Sequence, residues 1–546
     1  MHRLTLNPLT LLTTHTPDTP NPLQAGDPTG RVSFWKLWRW WLPPALIALA
    51  LVLYFVDPFI GDWDGMDYTM LSLAGYPSSM ALGRNLFIFT NHAMFRVAHA
   101  LFGLQPEQAY LIFKYAVVAQ APVTVVACWI LARDISGSLY TATTAALLIV
   151  FSPVFVLYSG QVMTDVPSVL VLSTALLVHM RGLQQRKLWL ILLGAGLLGL
   201  GVNLRETIGF FMPWLVLAPF VFGWKFERKS LLYIGAVCLV FLVLAFGWFG
   251  YWYLTDSHYR WVWNGWRESM REESSRHPVT LANLRPYVLY YLLSAPLVFL
   301  TILFAPVLEW RKRGITPMLL LWLVGFCANL LLFFNYSTTV NWRYFLTGLP
   351  AIVPLGAFWM LRISEGRLRT PQRAFVGCIA IIVLMAVVLF IYMRPISFEF
   401  IERRAMSREY VHRLEHVPRD AVMISGAQTI AVHYWAAISE GDWKTIGTGG
   451  GWPAERLYSV VENHLAEGQR VFIDTDPRWW LPCGWQRDEL PMTVGLEDHF
   501  SFRQVSETIY ELRPKGDATA QDQPNLKRLL PENRPEDTKK CPPARS

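Results

Sequence analysis

Four aspartates, Asp57, Asp62, Asp64 and Asp67, follow directly on an apolar run from Trp41 to Val56. Three of them fall within six residues, in Asp62-Trp-Asp64-Gly-Met-Asp67-Tyr68. A carboxylate at a membrane boundary anchors poorly, but it can take a proton from a hydroxyl as that hydroxyl attacks an electrophile. Neighbouring acids or lipid push such a group's pKa upward and make it a better base. The plainer reading is a solvated loop whose acids cap the following helix. Further along lie Asp165, Arg205 and Arg343, each in a short gap between apolar runs. Asp165, in Met163-Thr-Asp165-Val-Pro167, opens a helix as a good cap, yet an acid is costly at the head of an apolar helix. Arg205 has Glu206 beside it as a simple partner. Arg343, in Asn341-Trp-Arg343-Tyr344, reads either as a snorkelling interface residue or as a phosphate ligand. The planar fork of arginine fits phosphate oxygens, and two such groups would neutralise a phosphate leaving group.

Other signals are weaker. Gly447-Thr-Gly-Gly-Gly451 is read as a turn, because a lone glycine run is a poor phosphate loop. His92 and His99, seven apart, are read as interface packing with no third metal ligand in view. No CxxC or Cys/His metal spacing exists, so no cofactor is expected, though a divalent metal stays open. Cys128, Cys238, Cys327 and Cys378 sit singly inside apolar runs and read as small buried thiols.

The elements that must position these groups are membrane spans. The chain has 546 residues, 53% hydrophobic and only 16% charged, with apolar runs recurring through its first 395 positions. A helix needs about 20 apolar residues to cross the hydrocarbon core, and helix satisfies the backbone there within one segment. The fold expected is an α-helical polytopic membrane protein of about 11 spans, at roughly 41–56, 108–132, 139–158, 163–180, 188–203, 207–223, 231–254, 286–308, 316–335, 343–361 and 373–393. With residues 1–40 cytoplasmic and largely disordered, Arg181, Arg186 and Lys187, then Lys225, Arg228 and Lys229, then Arg311, Lys312 and Arg313 fall inside. That obeys the positive-inside rule and puts every candidate site residue outside. The net charge of +8 therefore belongs to cytoplasmic loops and predicts no nucleic-acid partner.

In the external loop 57–107, residues 84–102 carry helical apolar spacing with Arg84, His92, Arg96 and His99 interspersed, an amphipathic helix in the interface. The loop 255–285, with Trp261, Trp263 and Trp266, reads as a mixed interfacial segment. Residues 396–514 change character. Strands at Ala421–Ser425, Arg470–Asp474 and Thr508–Leu512 alternate with amphipathic stretches at Arg408–Leu414 and Pro453–Ala466, a small extracytoplasmic α/β domain. Residues 515–546 are rich in Pro, Asp and Lys and are expected to be disordered.

The chain resembles the GT-C glycosyltransferases that use polyprenyl-phosphate sugars, a group that includes protein O-mannosyltransferases and the aminoarabinose transferases of lipid A. The likeness covers about residues 41–395 and lies in Gly61-Asp-Trp-Asp64-Gly-Met-Asp-Tyr68, Met163-Thr-Asp165-Val-Pro167, Asn203-Leu-Arg205-Glu206-Thr207 and Trp342-Arg343-Tyr344 before Leu349-Pro350. It implies an integral plasma or inner membrane enzyme with the GT-C fold. Its implied reaction is an inverting transfer on the outer face, from a polyprenyl-phosphate-linked sugar donor to a hydroxyl of a glycan, lipid or protein acceptor. The loop-one acid would be the base, with no obligatory metal. Gly65 stands where the family has a Glu after its Asp, so Asp62, Asp64 and Asp67 all remain candidates. Asp64 is placed first, because Trp63 before it and Tyr68 after it fit the pattern best. Asp165 would position acceptor or loop, Arg205 and Arg343 would hold the phosphate, and Tyr68, Glu206, Tyr344 and His92 would be weaker substrate contacts. The rival reading is a transporter or flippase of a lipid-linked glycan, which would want broken midplane helices in matched halves. No such internal repeat is visible.

Overall fold

A computed structural model describes residues 34–56, 63–78, 82–276, 304–335, 342–388, 390–391, 414–425, 429–439, 441–447, 454–476 and 495–529, with isolated positions besides. Asp57, Asp62, most of the expected span 286–308, the segment Arg408–His412 and the glycine run after Gly447 lie outside the described residues. The helical module begins with α1 (Trp38–Phe55), followed by two helices of the first loop, α2 (Trp63–Ala74) and α3 (Asn85–Phe102). Then come α4 (Ala109–Ser136), α5 (Leu139–Val150), α6 (Pro153–Ser159), α7 (Asp165–Gln185), α8 (Leu188–Val202) and α9 (Met212–Val221). The module continues through α10 (Arg228–Thr255), α11 (Ser257–Arg276), α12 (Ala305–Arg313), α13 (Pro317–Asn335), α14 (Leu349–Leu368) and α15 (Pro371–Val388).

Six described helices are individually long and apolar enough to cross a membrane, seven if α5 and α6 form one bent span, and three more apolar helices are shorter. The expected count of about 11 is therefore not reached among the described residues. The run 139–158, expected as one span, is broken by 64° between α5 and α6. Pro153 opens α6, and its ring and missing N–H end the preceding ladder. The spans expected from 207 and from 343 instead begin with 3-10 turns, Glu206–Phe211 and Trp342–Gly348, before the α-helices proper. Each is followed by a proline, Pro213 or Pro350, in the first turn of its helix, where a missing N–H costs nothing. α3 forms at the expected amphipathic helix, and α11 forms within the segment read as mixed interfacial. Of the four apolar-run thiols, Cys128 and Cys378 are buried, Cys238 is half-buried and Cys327 is exposed on the outside of the bundle.

Close approach inside the bundle depends on small residues in α8. A side chain on Gly194 would start 2.6 Å from the His179 backbone nitrogen of α7, and one on Gly199 would start 2.6 Å from the Phe241 carbonyl of α10. α8 is thus clamped between α7 and α10.

The C-terminal domain has a five-stranded sheet in the order β2-β1-β3-β5-β4, with β1 (Val422–Ser425), β2 (Lys444–Gly447), β3 (Val471–Asp474), β4 (Phe500–Gln504) and β5 (Ile509–Pro514). β1 pairs parallel with β2 and β3, and β5 pairs antiparallel with β3 and β4. Helix α16 (Thr429–Ser439) connects β1 to β2, and α17 (Ala454–Ala466) leads to β3. Alternation sorts the strands: Val422, Ile424, Val471 and Ile473 join Leu457 and Val461 of α17 in one apolar cluster. Met423 and Phe472 instead join α16 and the helical module. The buried Glu511 carboxylate of β5 accepts from Arg470, just before β3, at 2.6 Å and forms ion pairs with Arg503 of β4 at 2.7 Å and Arg513 of β5 at 3.0 Å. The expected disorder from 515 onward is corrected over 515–529. Asp522 bridges to Phe502, and Leu526 is fully buried among the α17-side residues, its N–H donating to Glu497 at 3.0 Å. A segment poor in apolar residues orders here because one leucine reaches the sheet's core and its backbone finds strand partners.

Candidate functional site

Four chain segments deliver the site, and each places its polar residue where a helix begins or ends. Asp64 lies in the first turn of α2, Asp165 is the first residue of α7, Arg205 follows the end of α8, and Arg343 sits in the 3-10 turn before α14. The charges there are not left alone. Arg343 donates through Nη2 to Asp64 Oδ2 at 2.7 Å. Arg205 donates through Nη1 to Asp165 Oδ1. Both arginines lie over the Tyr344 ring, with the Arg205 guanidinium carbon 5.0 Å and that of Arg343 5.4 Å from its centroid. Arg343 also faces Tyr158 at 5.9 Å. Two acid–arginine pairs therefore share one aromatic ring.

The pairs differ in their exposure. Arg205 and Asp165 side chains are 3% and 1% exposed, whereas Arg343 and Asp64 are 13% and 22% exposed. Among the described residues, Arg205 Nε and Asp165 Oδ2 are buried without a hydrogen-bond partner. An unmade charged hydrogen bond is expensive in a protein interior, so these two atoms mark where a polar ligand would be stabilised. The simple partner for Arg205, its neighbour Glu206, is used elsewhere. Glu206 is held by Arg84, with contacts of 2.8 Å and 3.2 Å from the two terminal nitrogens, and Arg84 also donates to the Leu204 carbonyl at 3.0 Å. That third arginine was not among the candidate ligands. It stands at the head of α3 with a positive φ of 49°, a conformation few non-glycine residues adopt and one that recurs at functional sites. A basic residue opening the amphipathic run is the available signal.

The remaining candidates divide. Tyr68 is 2% exposed, edge-on to Phe87 at 5.5 Å, and lies in the combined field of Arg84, Asp64, Arg343 and Arg205. Burial pushes its phenol well above the usual range. Asp67, one turn after Asp64 on the same side of α2, has its carboxyl pushed up to about 7, first by burial and then by the Asp64 charge. His92 does not join the cluster. Its Nδ1 meets the Ser72 carbonyl at 2.7 Å, packing α3 beneath the end of α2. Among the described residues no three His, Cys, Asp or Glu side chains converge on a point that could hold a metal ion.

The fold has relatives. Residues 91–249 match a family described as dolichyl-phosphate-mannose-protein mannosyltransferase. The crystal structure of ArnT from Cupriavidus metallidurans bound to undecaprenyl phosphate is similar, at 14% identity and a TM-score of 0.53, over 89% of this chain and 100% of that one. ArnT from the same organism in the apo state is similar at 12% identity and a TM-score of 0.53, over 89% of this chain and 99% of that one. No curated protein sequence matches significantly. The chain has the fold of the GT-C glycosyltransferases and is an integral membrane protein.

Proposed function

We propose that this protein is a membrane glycosyltransferase that moves a sugar from a polyprenyl-phosphate donor to an acceptor hydroxyl on the outer membrane face. One observation carries the reading: Asp64–Arg343 and Asp165–Arg205 meet around Tyr344, so acids and cations 279 and 40 residues apart in the chain share one site. The fold likeness to a structure bound to undecaprenyl phosphate supports the donor class.

In this reading the donor phosphate sits against Arg205 and Arg343. The acceptor oxygen attacks the anomeric carbon from the side opposite the phosphate, and the bond from that carbon to the phosphate oxygen breaks with inversion. Asp64 takes the acceptor proton, and polyprenyl phosphate leaves with its negative charge against the two guanidiniums. Phosphate competes with Asp64 for Arg343, which frees the carboxylate to act as base when donor is present. Asp165 keeps Arg205 in place, and the Tyr344 ring packs against both arginines. Arg84, paired with Glu206, lies close enough to Tyr68 to act on it electrostatically.

Asp64→Asn preserves shape and removes the base. Transfer of sugar from a polyprenyl-phosphate donor, followed by mass spectrometry of a cell-envelope fraction, is expected to drop by about 10²–10⁴. Donor binding in detergent should survive. Near-normal turnover in this variant would move the base to Asp67 or Asp62.

A further inference from the structure

The acid-bearing helix α2 has only 12 residues. Helices that short are marginal by themselves, so packing must fix where Asp64 points. Its main neighbours are α3 and, from the distant C-terminal domain, α16. In α16, Val432, Tyr434 and Ile438 are 0%, 3% and 6% exposed, and they share one apolar cluster with Met66 and Tyr68 of α2. Tyr434 also lies close enough to Tyr110, at the start of α4, and to Glu107, in the turn before it, to interact with them electrostatically. From behind, α16 is backed by Met423 and Phe472 of the sheet, which belong to the same cluster. The helix is thus wedged between a sheet and the short helix that carries the acids. Placement matters at this scale, because an error of about 1 Å at a reacting group can cost about 10²-fold in rate.

Resting on the glycosyltransferase reading above, we propose that α16 is the positioning element for α2, with Tyr434 and Ile438 as positioning residues. The C-terminal domain is then part of the catalytic unit, acting through the α2 backbone on Asp64 and Asp67. Its role is not that of a separate acceptor-binding module on a tether.

The test uses the full-length protein in detergent and two variants. The first, Tyr434→Ala with Ile438→Ala, thins α16 at two buried positions one turn apart. The second, Val461→Ala, removes packing on the opposite face of the same sheet. Hydrogen exchange is followed over Trp63–Ala74 and over α17, alongside turnover at saturating substrates and affinity for a polyprenyl-phosphate sugar. The α16 variant should exchange α2 amides faster and lose about tenfold or more in turnover, with donor affinity not reduced, because Arg205 and Arg343 are not on α2 and only their competitor Asp64 is loosened. Val461→Ala should loosen α17 and leave α2 exchange and turnover intact. Unchanged α2 exchange in the α16 variant overturns the proposal, as does an equal loss of turnover in Val461→Ala. If even the parent transfers no sugar from a polyprenyl-phosphate donor, the glycosyltransferase reading fails alone, and α2 exchange still decides whether α16 positions the helix.

Discussion

The two acid–arginine pairs are alike in chemistry and different in energetics. Arg205→Ala leaves Asp165 charged at 1% exposure, and stripping one partner from a buried pair costs about 3–5 kcal/mol. Arg343→Ala leaves Asp64 at 22% exposure, where water reaches it, so its loss of stability should be much smaller. Thermal unfolding in detergent separates the two. Arg205→Leu combined with Asp165→Leu should regain most of the stability and still bind no donor phosphate, because a neutral apolar pair fills the volume without offering charge. Equal unfolding shifts for the two single alanine variants would contradict this account of the burial difference. Asp67 offers a second residue-scale test. Its carboxyl is raised from 3.8 to about 7, so between those values the folded state keeps a proton that the unfolded chain has released. Stability from this group therefore falls as pH rises through that window. Asp67→Asn removes the penalty: its unfolding temperature should exceed the parent's at about pH 8, with the difference gone by about pH 4. A constant offset across that range would mean that the effect is packing and not charge.

At the level of elements, the site depends on α8 being thin. Asp165 opens α7 and Arg205 follows α8, so the pair forms only if those two helices keep their register. The contact at Gly194 leaves no room for a methyl group. Gly194→Ala should destabilise by about 1–3 kcal/mol as the helices part. It should also weaken donor binding although it lies turns away from the phosphate ligands. The check is a paired measurement of unfolding and donor affinity; lost stability with unchanged affinity would show that α7 and α8 move as one body. The bend at Pro153 belongs to the same scale. It turns α6 out of line with α5 and lets Tyr158 face Arg343, which a straight span would not.

For the whole molecule, the domain boundary drawn from composition is softer than the packing. Membrane module and sheet share one apolar cluster through α16, and the segment after β5 returns to the sheet. Leu526→Ala should cost about 2–5 kcal/mol, readable as a lowered unfolding temperature of the C-terminal domain. No shift would place Leu526 outside the folded core.

The sequence by itself determined the class of fold. Hydrocarbon imposes long apolar helices, and their spacing, together with basic loops between them, is legible in any window of about 20 residues. It also singled out Asp64, Asp165, Arg205 and Arg343, because a charge at the end of an apolar run is costly enough to stand out in a linear chain. The α/β character of the C-terminal domain was readable from β1, β3, β5 and α17. α16, β2 and β4 were not, since short apolar runs fit helix and strand equally well. Pairing was decided only in three dimensions. Local sequence offered Glu206 to Arg205, yet Arg205 reached Asp165 and Glu206 went to Arg84. Helix ends from four distant segments meet there, and the partner of a buried charge is chosen by which ends the packing brings within hydrogen-bond reach. The exclusion of His92, the raised carboxyl of Asp67 and the wedge of α16 on α2 have the same cause. Burial and neighbouring charge are properties of the assembled site, and no spacing along the chain encodes them.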